Sequence, residues 1–184
     1  MKKIAAIIII AVLGCTSGFA QTTKAKPAAK PVAKPVKKPV AAKPAVEKTF
    51  DNGIKLSMKG FVVSSAKLYF EDGSVVPDDN TVEIDQKVVM QVVLDTGYKV
   101  TGGKVFPGGS EKITLSDGYE VLTSGDMFTQ YDATGVSPED GKYISLKAVM
   151  KQLDDKSKAV NVSFKIWDKK SSSVITGSYQ LHIK

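Results

Sequence analysis

Arginine is absent from all 184 residues, and histidine, cysteine and tryptophan occur once each. Without arginine there is no planar fork to grip phosphate or a base edge in two places at once, which argues against a nucleic-acid partner. With only His182, third from the end, and Cys15, near the start, the chain has no ligand set for zinc or copper. Downstream of Cys15 there is no cysteine for a disulfide, so any folded part must rest on its apolar core. No Gly-x-Ser-x-Gly elbow occurs. Ser64-Ser65-Ala66-Lys67 matches Ser-x-x-Lys only in letters. It lies in a β-patterned stretch, where residues three apart point to opposite faces. Gly97 and Gly102-Gly103-Lys104 miss the Gly-Lys-Ser/Thr ending of a phosphate loop, and no helix follows to receive an anion. No cofactor is implied.

Long apolar runs are also scarce. Ile4–Leu13 is the longest, and it follows Lys2-Lys3 and precedes Gly18-Phe19-Ala20. A basic start, a short apolar run and a small-x-small ending form a secretory signal peptide, residues 1–20, with the cut after Ala20. About 20 residues would be needed for a permanent span. Val12-Leu13-Gly14-Cys15 resembles a bacterial lipobox, which implies lipidation of Cys15 as the alternative to that cut. Either outcome sends the chain to the periplasm or outer envelope.

The net charge of +7 is located unevenly. Eight lysines lie between Gln21 and Lys48, whereas 16 lysines face 18 acidic residues from Phe50 to Lys184. Residues 21–49 are nearly all Lys, Ala, Pro and Val, with prolines at 27, 31, 35 and 39. Proline every fourth residue forbids a stable helix and favours a disordered, polyproline-like tether. Its lysines, or a lipidated Cys15, would allow peripheral association with an anionic membrane surface.

From residue 50 to 184 the pattern changes to short runs of period two. Ile54, Leu56 and Met58 alternate with polar neighbours, Val88–Leu94 alternates with a mixed face, and the period of two recurs in Ile113–Leu115, Tyr119–Thr123, Ile144–Met150, Val160–Ile166 and Tyr179–Ile183. Turn residues separate them, among them Asp72-Gly73, Asp78-Asp79-Asn80, Gly108-Gly109 and Asp117-Gly118. The paired glycines at 102–103 and 108–109 read as hairpin or bulge positions needing φ > 0. No stretch shows helical periodicity. The expectation is an all-β domain, an antiparallel β-sandwich of about eight or nine strands.

Pro138-Glu139-Asp140-Gly141-Lys142-Tyr143 resembles the tyrosine corner of immunoglobulin-like domains. The resemblance implies an immunoglobulin-like sandwich in which Tyr143, with Glu139 and Gly141, is a structural residue pinning a crossover between sheets. Ser145 stands where such domains carry a strand cysteine, and Trp167 follows the corner instead of preceding it.

Acids in the turns, including Asp78, Asp79, Asp126, Asp132, Asp154 and Asp155, show no calcium-loop spacing and read as turn formers. Alternation puts Trp167 outward, and with Tyr119 or Tyr131 it is the candidate ligand-facing surface. The function expected is a non-enzymatic exported module that binds an envelope protein or glycan. A chaperone or assembly accessory working along a sheet edge, or a small carboxylate hydrolase, are the alternatives.

Overall fold

The computed structural model describes residues 44–149 and 159–184. Residues 1–20, read as a signal peptide, together with Cys15, most of the lysine-proline segment, Met150, Asp154 and Asp155, lie outside them. Within the described residues the chain is a β-sandwich built almost wholly of antiparallel strands. Ten strands run in order: β1 (Val46–Thr49), β2 (Lys55–Lys59), β3 (Val62–Phe70), β4 (Thr81–Val82), β5 (Lys87–Thr96), β6 (Pro107–Leu115), β7 (Glu120–Thr123), β8 (Tyr143–Val149), β9 (Ala159–Asp168) and β10 (Val174–Ile183). One sheet has the order β1-β2-β10-β9-β6-β7, with β4 beside the far end of β10; the other is β3-β5-β8. β4 alone runs parallel to its neighbour, pairing Thr81 with His182 and Val82 with Ile183.

The period-two runs become strands because alternation buries one face of each. Leu56 and Met58, Val88 to Leu94, Ile144 to Ala148, and Val160 to Ile166 all send alternate side chains between the sheets. A fully buried Leu, Ile or Phe is stabilised by about 1.5–3 kcal/mol relative to exposure, and this layer is what a domain without disulfides rests on. β3 is less regular in sequence because its register against β5 shifts between Val62 and Ser65. Such a bulge places two residues opposite one and interrupts the alternation.

Two features differ from expectation. Val46–Thr49 belongs to the segment read as tether, yet it pairs in register with β2, from Val46 opposite Met58 to Thr49 opposite Lys55. Four residues with exposed side chains pair through backbone hydrogen bonds, which side-chain patterning does not record. The second concerns the glycines. Gly102 and Gly103 do have positive φ, 59° and 74°, in the turn between Thr101 and Lys104. Gly108 and Gly109 do not; they sit inside β6, and the missing side chains make room on both faces. A Cβ on Gly108 would come within 2.2 Å of the Trp167 indole, and one on Gly109 within 2.5 Å of the Phe128 ring.

The Glu139–Tyr143 turn is held differently from a tyrosine corner. Ser137 Oγ donates to Asp140 Oδ2 at 2.6 Å, the Gly141 N–H donates to the Ser137 carbonyl at 2.9 Å, and Lys142 pairs with Glu139 at 2.7 Å. Gly141 is buried against Val105. Tyr143 is 58% exposed. Ile144, Leu146 and Ala148 occupy the inward positions of β8, so alternation turns Tyr143 to solvent and away from a buried anchoring role.

Candidate functional site

The outer face of the seven-stranded sheet follows from the register. Lys165 of β9 lies opposite Thr176 of β10 and Ser110 of β6; Ser163 lies opposite Ser178 and Lys112. Across β10, Thr176 meets Ser57 and Ser178 meets Lys55 of β2. Because strands repeat every two residues, all of these side chains point away from the core. They form a floor of hydroxyls with Lys55, Lys112 and Lys165 standing in it.

That floor is hollowed. One depression of about 540 Å³ is lined by Glu47, Lys55, Ser57, Thr176 and Ser178 among others. A second of about 310 Å³ includes Ser110, Lys112, Thr123, Ser163, Lys165 and Thr176. Both share Thr176 and Gly177, so together they make a trough running across the strands. From β1 to β7 it crosses six strands, about 24 Å at the usual strand spacing. At its β2–β10 side it adjoins a broader hollow of about 950 Å³ bordered by Asp78, Asp79, Asn161, Gln180 and His182, with Lys55 and Ser178 common to both. His182 is exposed there, as alternation against the buried Leu181 requires.

The lysines differ in their electrostatic surroundings. Lys112 is paired with Glu120 at 2.6 Å, and this bond and that from Thr123 hold the Glu120 carboxyl below its ordinary range. Lys165 leans over the Trp167 ring, 5.4 Å from its centroid. Neither Lys55 nor Lys165 has an acidic partner within salt-bridge distance among the described residues.

Of the aromatic candidates, Trp167 lies just outside the trough lining, one outward position beyond Lys165 and in contact with it, half-buried with its indole laid over Gly108. Tyr119 is 67% exposed but follows Leu115 at the opposite end of β6, about 23 Å along the strand. Tyr131 belongs to a single 3-10 turn, Thr129–Tyr131, and stacks on Phe128 with ring centroids 6.4 Å apart. Trp167 and Tyr119 therefore do not make a common aromatic platform.

The loop acids are engaged in holding loops. Lys169 binds both Asp126, at 2.6 Å, and Asp132, and also donates to the Phe128 carbonyl. Burial opposes the charge on Asp126, but Lys169 and the N–H groups of Phe128 and Gly109 outweigh it and keep that carboxyl below its ordinary range. Among the described residues no group of three or more His, Cys, Asp or Glu is placed to hold a metal ion.

Two buried acids escaped sequence reasoning. Asp168, 2% exposed, accepts the N–H groups of Lys99 and Lys170. Glu111, also 2% exposed, points into the core from β6. Burial pushes its carboxyl up to about 7, with the Tyr179 hydroxyl pulling the other way. The signal was present: Glu111 shares the parity of Ile113 in its strand.

No family model matches the sequence, and no curated protein matches it. Among solved structures, the crystal structure of the C-terminal domain of wzt aligns over 78% of this chain and 80% of that one, at 14% identity and a TM-score of 0.42. So slight a likeness adds nothing to the architecture described above.

Proposed function

We propose that this chain is an exported, non-enzymatic binding module of the bacterial periplasm or outer envelope, displayed on its lysine-proline tether and meeting an envelope glycan or protein through the outer face of the seven-stranded sheet. The trough carries the reading. It is open, it crosses six strands, and its hydroxyls and ammonium groups stand on paired strands whose positions are set by the register. Sites on strands hold their geometry better than sites on loops, and an open trough suits an extended ligand more than a small substrate that must be enclosed. The leader and tether support export and reach.

Blocking the floor tests this. Ser163→Trp fills the trough, whereas Ser145→Trp places the same bulk on the outer face of the small sheet. Both proteins are incubated with envelopes from the producing cell and then sedimented. Retention should be lost with Ser163→Trp and kept with Ser145→Trp. Equal retention of the two would overturn the assignment of the binding face.

A further inference from the structure

Resting on that reading, we propose that the trough takes an acidic polysaccharide, a chain of hydroxyl-rich rings bearing carboxylate or phosphate groups, laid across the strands. The chemistry of the lining selects this class. Ser57, Ser110, Ser163, Thr176 and Ser178 offer hydroxyls, which both donate and accept and so match ring hydroxyls in either sense. Lys55 and Lys165 supply positive charge without a bound acid among the described residues, and they sit on opposite sides of β10.

Their spacing follows from the ladder. β2 and β9 are two strands apart, and the two lysines differ by one outward position along them, which puts their Cα atoms about 12 Å from each other. Two cations at that separation on a hydroxyl floor suit a polymer with repeated negative groups better than a single small anion. Charge on long, flexible side chains tolerates variation in ring geometry, while the hydroxyl floor excludes purely apolar occupants.

Trp167 adds an apolar ring face at the margin of the trough. A bound sugar chain displaces the Lys165 ammonium or water from the indole, so the only tryptophan of the chain reports occupancy. The tether's own lysines also attract polyanions, but they are distant in sequence from the indole. Tryptophan emission therefore distinguishes the trough from the tether.

The test is a fluorescence titration of the full-length protein with polygalacturonate, and with dextran as an uncharged polymer, at about 0.15 M salt, where exposed charges beyond a Debye length are screened. Polygalacturonate should change Trp167 emission saturably, and dextran should not. Lys55→Gln with Lys165→Gln should raise the half-saturating polygalacturonate concentration about tenfold, the quantity compared because removing Lys165 from the indole alters the emission amplitude itself. Lys67→Gln with Lys147→Gln, the same charge change on the other sheet, should leave that concentration within about twofold.

A response to dextran that Ser163→Phe abolishes, bulk that blocks the trough without a second indole, with no preference for polygalacturonate, would overturn the acidic class while sparing the trough. Equal weakening by the two double variants would overturn the placement of the cations. No emission change with polygalacturonate would overturn the proposal. Loss of envelope retention with Ser163→Trp in that last case would show that the trough still binds, by other chemistry.

Discussion

Asn52 and Asn80 hold each other where the chain enters β2 and β4. The Asn52 Nδ2 donates to Asn80 Oδ1 at 3.0 Å, and the Asn80 Nδ2 donates to the Asn52 carbonyl at 2.8 Å. Both are buried, and both have left-handed backbones, φ 55° and 56°. Asparagine tolerates that region better than other residues with a Cβ. The pair also reaches the carbonyls of Val76, Pro77 and Gln180 and the N–H of Leu68. It ties the segment before β2 to the small sheet and to β10.

Asn52→Ala should therefore cost about 2–4 kcal/mol, because it strands several buried backbone groups at once and leaves a Cβ residue at positive φ. Asn52→Gly relieves only the backbone and should recover a minor part. Urea unfolding of the three proteins checks the order. A loss under about 0.5 kcal/mol for the alanine variant, within the range of ordinary surface substitutions, would contradict it.

Gly108→Ala should drive the Trp167 indole off β6. The backbone conformation at 108 is open to any residue, so the effect isolates the collision of the new Cβ with the ring at 2.2 Å. The expected cost is about 1–3 kcal/mol, with tryptophan emission shifted to longer wavelength as the ring enters water. Gly125→Ala, where a Cβ would meet nothing within 4 Å, is the matched control.

Glu111 gives the domain a pH dependence of definite sign. Its folded pKa, about 7, lies above the ordinary 4.5. Between those values the unfolded chain has released a proton that the folded chain keeps, so Glu111's contribution is full below pH 4.5 and is lost as pH rises through 7. The loss is on the order of 3 kcal/mol. Glu111→Gln, neutral throughout, should be more stable than the parent at pH 8 and close to it at pH 4.5, by thermal melting. Asp126, whose pKa is lowered, works in the opposite sense, so the difference between parent and variant is the quantity to follow. Parallel curves for the two proteins would contradict the buried position of Glu111.

The leader makes a separate prediction. Intact-mass measurement of the protein recovered from the envelope should show a chain beginning at Gln21. A diacylated or triacylated Cys15 as first residue would replace the cut after Ala20 with lipoprotein processing.

The architecture was legible wherever one face of a strand is greasy and the other wet. Val88–Leu94, Ile144–Ala148 and Val160–Ile166 read correctly because alternation is a direct record of burial. The same record already set Tyr143 on the outward face of β8, against the turn motif that suggested an anchor. It failed for β1, where pairing is carried by backbone, and for Gly108-Gly109, where glycine answers the rings of Trp167 and Phe128 from distant segments. The trough was legible only in part. Alternation marks Lys55, Ser110, Lys165 and Thr176 as outward, but which of them are neighbours depends on strand order and register, and these come from long-range pairing.

The outer face of the seven-stranded sheet as the place of binding is tested most directly by mapping backbone amide shifts while titrating the labelled protein with polysaccharide from the producing cell's envelope. The largest changes should fall on Lys55–Ser57, Ser110–Lys112, Ser163–Lys165 and Thr176–Ser178, with Ser65, Gln91 and Ser145 unmoved. Changes centred on β3, β5 and β8 would contradict the account.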